Sequence, residues 1–453
     1  MMKRLLFAAA LVAALAACSS KNGDSGGAPQ GSLTKEQLLD PATCKSCHET
    51  EYAQWASSMH AYAADDPVFL AMNARAQRET NGALGDFCIK CHAPMAVRLG
   101  MTTDGLNAAD LPPRVKGVTC FFCHSVDAVE GTHDAPLHLA DDGMMRGPIA
   151  DPIASTPHLA GYSKLHDREV IDSAPLCGSC HDIQTPMGVA TAQTFAEWKT
   201  TIYSHDVAGV RLTCGSCHMK GSMGQAATVP GAPTRLIHDH SWPGVDVALT
   251  PFPDTDAQRA AVQAELDSSI NVKLCVTPPK DGANVQVTLD NAFVGHGFPS
   301  GAGYDRRVWV EVTASKDGGK VFGSGDVPDS VSPTSLDPAT VWMFRTALFD
   351  ANGSELHFQW DAASATPSFV PPAVTTDPKD PAYYHAITRG WLVPGEFDTV
   401  HVRVRVSPVD AAVASDLVAS GDLDPAIAAA IPSYELTGSK LTWTSDMGFT
   451  CLP

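Results

Sequence analysis

Basic charge is scarce in this 453-residue chain: 31 Lys and Arg stand against 50 Asp and Glu, a formal charge of -19. Such a surface repels phosphate backbones and anionic membrane faces at long range, which argues against a nucleic-acid partner. Long apolar runs are missing as well, with one exception. Lys3 and Arg4 precede 13 apolar residues, Leu5 to Ala17. A membrane span needs about 20 residues, whereas a basic start, a short apolar run and a small-residue end form the pattern of an export leader. The length allows two or three domains, each with its own core.

Leu15-Ala16-Ala17-Cys18 resembles a bacterial lipobox. The resemblance implies a signal peptide over residues 1–17, lipidation of Cys18 and a flexible tether over 18–40, in keeping with the Gly/Ser-rich stretch SSKNGDSGGAPQGS. Ser19 stands where an inner-membrane retention signal would place Asp, so the expectation is an exported protein anchored by lipid to the outer membrane, on its periplasmic or cell-surface side.

Cysteine is abundant. Of 13 cysteines, ten form C-x-x-C pairs: Cys44/Cys47, Cys88/Cys91, Cys120/Cys123, Cys177/Cys180 and Cys214/Cys217. Each pair is followed at once by a histidine, His48, His92, His124, His181 and His218. Two thiols three positions apart reach the two vinyl groups of one porphyrin, and the adjacent imidazole becomes the proximal ligand of its iron. Zinc ribbons do not need a histidine after every pair, and thioredoxin-like pairs come singly. Five covalently bound haem c groups are therefore expected. Cys275 and Cys451 remain; in an oxidising compartment they suit a disulfide, with two free thiols as the alternative.

The five motifs lie between residues 44 and 218, roughly forty residues per porphyrin, so the porphyrins themselves are expected to supply much of the core. The stretch DTDAQRAAVQAELDSS from Asp254 reads as a helix capped by an aspartate. From Asn284 onward the pattern changes to period-2 alternation in NVQVTLD, RRVWVEVTAS and TVHVRVRVSP, with turn signals at Asp317-Gly318 and Asn352-Gly353. The expected fold is an α plus irregular multihaem domain over residues 41–245, a connecting helix within 246–270, and an antiparallel, immunoglobulin-like β-sandwich over 271–453. In the alternation VHVRVRV, His401, Arg403 and Arg405 share one face, expected to be solvated.

CKSCHETEYAQWASSMHAYA, CIKCHAPMA, GMMRGPIADPIASTPHLAGYSKL followed by LCGSCHD, and then CGSCHMKG, IHDHSWPG and VGHGFPSG together resemble the multihaem cytochrome c family. That family includes tetrahaem electron acceptors of hydroxylamine oxidation and octahaem enzymes acting on nitrogen and sulfur compounds. The resemblance implies distal ligands, the second imidazoles that make an iron six-coordinate and favour low-potential electron transfer. His60, His158 and His240 (with His238 as its alternative) match family positions. A helix from His48 to His60 would rise about 18 Å, too far to wrap one iron, so His60 is expected to serve a neighbouring haem. His296 stands between Gly295 and Gly297, which would let a porphyrin approach the backbone. For the fifth position His138 is chosen, with His205 beside it; His133 and His166 are also within reach, and the alternative is one five-coordinate haem. Arg306 and Arg307 are candidates for pairing with haem propionates.

The leading expectation is an electron carrier working between redox proteins, other cytochromes or quinol-linked complexes, whose basic faces would suit the acidic surface. The rival is an oxidoreductase of small nitrogen or sulfur compounds at an open haem. Against it, every motif ends in histidine, with no lysine-ligated haem.

Overall fold

A computed structural model describes residues 31–153, 157–205, 211–277 and 283–453. The expected leader, Cys18 and the tether up to residue 30 lie outside the described residues. Among the described residues no helix is long and apolar enough to cross a membrane.

The first half is a series of short helices and two-stranded ribbons. Helix α1 spans Glu49–Ala56 and α2 spans Met59–Tyr62. They are not one rod: Ser58 adopts an extended backbone, and its hydroxyl accepts from Ala61 N at 3.3 Å to start the second helix. A serine that caps competes with helix continuation. Helix α3, Pro67–Glu79, starts where Asp66 accepts from Val68 N and Pro67 occupies the first turn. This half has more side-chain core than the residue count suggested. Leu38, Ile89, Phe121, Phe122, Val126 and Leu137 are buried together, and Phe121 and Phe122 are the two middle residues of the third motif.

The second half contains two antiparallel sheets. One has the order β8-β2-β1-β12, from β1 (Asn271–Thr277), β2 (Ala283–Asp290), β8 (Ala386–Val393) and β12 (Thr450–Leu452). The other is built on β3 (Arg307–Lys316), which pairs with β4 (Gly319–Ser324), β5 (Trp342–Phe349) and β9 (Thr399–Ser407). The short strands β6 (Glu355–Leu356), β7 (Ser364–Ser368), β10 (Tyr434–Glu435) and β11 (Leu441–Thr444) complete it. Inward residues of both sheets, among them Val272, Leu274, Val287, Leu289, Val310 and Val404, form one continuous core. The β3–β4 hairpin turns at Asp317 and Gly318, both with positive φ, as a tight hairpin with right-handed strand twist requires. Cys275 and Cys451 stand opposite each other on β1 and β12 and are joined as a disulfide.

Helix α4 (Thr255–Asp267) is shorter than its segment, and its start differs from expectation: Asp254 is left-handed at φ 51° and its side chain makes no capping bond. The helix is held by packing instead, since Val262 and Leu266 are buried in the two-sheet core. The face carrying His401, Arg403 and Arg405 is also only partly as expected. His401 is exposed, but Arg405 is 2% exposed, its guanidinium 4.6 Å from the Trp309 ring and bonded to Glu311 and Asp329. The segment around Val327 covers that end of β9, which no local alternation reveals.

The halves share a third cluster. Val68, Ala71 and Ala76 of α3 meet Phe358, Trp360 and, on helix α5 (Ala411–Ala419), Val413 and Leu417. A two-pronged Arg78–Asp422 pair at 2.6 Å rims it.

Candidate haem-binding site

Each C-x-x-C-H unit sits on or beside a short helix, which brings residues three and four apart onto one face. The helices are Pro41–Cys44, Ile89–His92, Cys120–Ser125, Ala174–His181 and Cys214–His218. Thr119 and Thr213 cap two of them through their hydroxyls, immediately before the first cysteine. The units are contiguous in space. The thiol of Cys44 is hydrogen-bonded to Cys120, Cys91 to Cys180, and Cys177 to Cys214. The fourth unit thereby touches both the second and the fifth.

Cys47 corrects the sequence expectation. The other nine motif cysteines are free thiols, but the buried Cys47 sulfur is disulfide-bonded, to a cysteine outside the described residues. A cysteine sulfur takes part in a disulfide or in a thioether to haem, not in both, so this bond and attachment at Cys47 exclude each other. The spacing of Cys44 and Cys47 carries no information about a thiol brought in from elsewhere in the chain, which is why the motif alone assigned Cys47 to the porphyrin.

The histidines then converge in pairs. Ring centroids of His48 and His158 are 6.1 Å apart, His60 and His181 6.3 Å, and His124 and His240 6.4 Å. With a metal–imidazole bond of about 2 Å and about 1 Å more to the ring centre, two imidazoles on opposite sides of one iron have centroids about 6 Å apart. His296, wholly buried, lies in electrostatic reach of His218. In each of these four pairs one histidine ends a motif and the other comes from elsewhere in the chain.

Backbone carbonyls orient the rings. Nδ1 of His48 is 2.6 Å from Ala226 O, His92 2.9 Å from Ala63 O, and His218 3.0 Å from Pro243 O; His124 bonds to Arg146 O. Among the other partners, His158 uses Leu159 O, His240 uses His238 O and His296 uses Gly297 O. A proton donated from Nδ1 leaves Nε2 as the electron-pair donor. Burial also keeps the rings neutral: it pushes His60 down to about 3, and His92, His124 and His296 to about 4. Thiols, an adjoining imidazole and a second neutral imidazole at this separation are a donor set that fits haem c, with both thiols free at four of the five units.

Local sequence explains much of this. In Trp55-x-x-Ser58-x-His60, the Trp55 indole donates to Val118 O at 2.8 Å and Val118 N donates to His60 O at 2.8 Å, which clamps α2. Gly117 has φ 69°, and a Cβ there would lie 2.4 Å from His60 O, so only glycine permits the clamp. The His296 loop is held across the halves by Glu197, whose Oε2 accepts from Gly297 N at 2.9 Å and Ser300 Oγ at 2.8 Å. Gly297 is small for a different reason from the one expected: a Cβ would meet Phe369 at 2.8 Å and Glu197 at 3.0 Å.

Other candidates stand apart. His138 is exposed and bonded to Asp127 at 2.5 Å, His133 is bonded to Asp134, and His205 is exposed. The sequence choice of His138 places an exposed residue where a buried one is needed. His238 lends its carbonyl to His240 instead of taking its place. His166 is turned away, its Nε2 2.8 Å from Cys123 O. Arg307 is committed elsewhere, with its Nε 2.5 Å from Asp410 Oδ2 in a fully buried pair. Arg306 bonds Ser300 O and Asp246. His92 is the exception among the motif histidines: among the described residues its ring contact is with Phe69, stacked at 3.7 Å, and not with a second imidazole.

This constellation defines a multihaem cytochrome c, a class that binds haem c. Residues 43–125, which contain the first three motifs, match the family model described as cytochrome c554 and c-prime. Among solved structures the chain is similar to a penta-heme cytochrome c552 from Thermochromatium tepidum, with 21% identity and a TM-score of 0.61 over 90% of this chain and 97% of that one. At that identity the likeness is one of fold. No curated protein matches in sequence.

Proposed function

We propose that the chain carries five haem c groups and passes electrons along them between redox proteins. The observation that carries this reading is the pairing of motif histidines with buried partners about 6 Å away, within one contiguous set of attachment sites. In this reading His158, His60, His240 and His296 are the distal partners of His48, His181, His124 and His218. The haems supply reversible one-electron chemistry when bound. The polypeptide fixes their positions through its motif cysteines, holds each ring in one tautomer through a carbonyl, and excludes water from the imidazoles by burial. At the first unit Cys44 has the free thiol, and Cys47 becomes available to the porphyrin only when its disulfide is reduced. The two-sheet half, read as an immunoglobulin-like sandwich, brings His296 to the fifth site. Export, the lipid at Cys18 and partners with basic docking faces belong to the same proposal, on the grounds of the leader pattern and the net charge of -19.

A pyridine haemochrome assay with intact mass tests it, and the expected result is five haems per chain. A colourless protein, or fewer than five haems, would sink it. The pyridine spectrum also separates one thioether from two at the first haem, because an unreacted vinyl group shifts the absorption band. A second reading rests on His92 and its Phe69 neighbour: a five-coordinate second haem where a small nitrogen or sulfur compound reacts. Its mark is a stoichiometric high-spin signal in paramagnetic resonance, with carbon monoxide binding on reduction; a wholly low-spin protein rules it out.

A further inference from the structure

One short segment touches axial histidines of three sites. His238 O orients His240, and Pro243 O orients His218. Between them Trp242 meets two histidines edge to face: His60 at 4.6 Å and 66°, and His240 at 5.1 Å and 76°. On the ligand reading above, those two rings serve different irons, through His181 and His124.

Trp242 holds a backbone conformation that a bulky residue rarely adopts, φ 42°. Such a conformation persists only where the surroundings over-determine it. Here they do. Asp239 accepts from the Ser241 amide at 2.6 Å and from its hydroxyl, and Gln54 of α1 bridges Asp239 and the His240 amide at 3.3 and 3.0 Å. Glycine would meet the backbone requirement without strain. The indole is therefore what the segment is built to deliver.

We propose that Trp242 is a positioning residue that fixes the ring orientations of His60 and His240 together and so couples the electronic states of the third and fourth haems. The contact geometry supports this directly. An edge-to-face indole restrains rotation of an imidazole about its bond to iron, and that rotation alters the electronic structure of a low-spin haem without altering its ligands. One side chain restraining two rings means that a change at residue 242 reaches two haems at once.

The test uses the full-length haem-loaded protein. His60→Met and His240→Met are made first, and each should remove one distinct bis-histidine signal from the paramagnetic resonance spectrum. If neither does, the ligand reading fails. Trp242→Leu and Trp242→Phe are then compared with those assignments. Trp242→Leu should shift both assigned signals and both corresponding midpoint potentials, leave the remaining low-spin signals in place, and be largely reversed in Trp242→Phe. Unmoved signals, a shift at only one of the two sites, or an equal disturbance of every haem would overturn the inference while leaving the ligand reading intact. Should Trp242→Leu fail to take up all haems, selective loss of the third and fourth supports the proposal, and loss of all five overturns it.

Discussion

The two halves solve the same problem with different materials. The sheets bury an uninterrupted set of valines and leucines contributed by the strands themselves, many with no exposed surface. The haem-binding half has a smaller aliphatic core, and its deepest space is bordered by imidazoles and thiols. A neutral imidazole buried beside other imidazoles gains little from the apolar effect unless a cofactor fills the gap. The difference teaches that the first half is stable only as a haem protein, while the second is stable through its side chains, and that α3 and the His296 loop make the one lean on the other.

The largest expected effect breaks the comparison at its cofactor. Replacing Cys177 and Cys180 by Ala should remove one haem by mass and lose protection from hydrogen exchange across the helices of residues 41–218, because the fourth unit adjoins the second and fifth. Strands β1, β2, β3 and β9 should stay protected; equal loss in both halves would end the distinction. Next comes the disulfide of the sheets. Its 176-residue separation gives a chain-entropy contribution of roughly 5 kcal/mol, so Cys275→Ser with Cys451→Ser should lower the denaturation midpoint of the sheets while five haems remain attached. Leu274→Ala, at a fully buried site, should cost about 3 kcal/mol with an unchanged haem spectrum. A change in that spectrum would show that the core of the sheets sets haem geometry.

The smallest effect sharpens the junction. Burial pushes the Asp305 carboxyl up to about 8, and one of its oxygens has no hydrogen-bond partner. A folded-state value above the unfolded one means that folding retains a proton which the unfolded chain releases. Stability is then highest below the ordinary aspartate value and falls as pH rises towards about 8. Asp305→Asn should remove that slope, raising the melting temperature by a few degrees at pH 8 and not at pH 4. Parallel melting curves for the two proteins across that range would contradict the assignment.

Legibility in the sequence followed the range of the interaction. The period-2 strands and the Asp317-Gly318 turn could be read because backbone geometry repeats over two residues. The break between α1 and α2 could not be inferred from helical spacing, since a single capping serine decides it. Exposure of His138 and burial of Arg405 depend on which distant segment covers a strand, and alternation is silent on that. The disulfide at Cys47 belongs with these, because it depends on a second thiol that the motif does not contain.

The attachment motif was determined by sequence alone, because two thioethers and a proximal imidazole must lie within five consecutive residues to serve one porphyrin. Which second imidazole faces which motif was decided only by tertiary structure. His60 and His181, or His218 and His296, are brought together by chain reversals, caps and a loop from another sheet, and the energy that selects each pair is packing at the meeting point, not anything encoded at either residue.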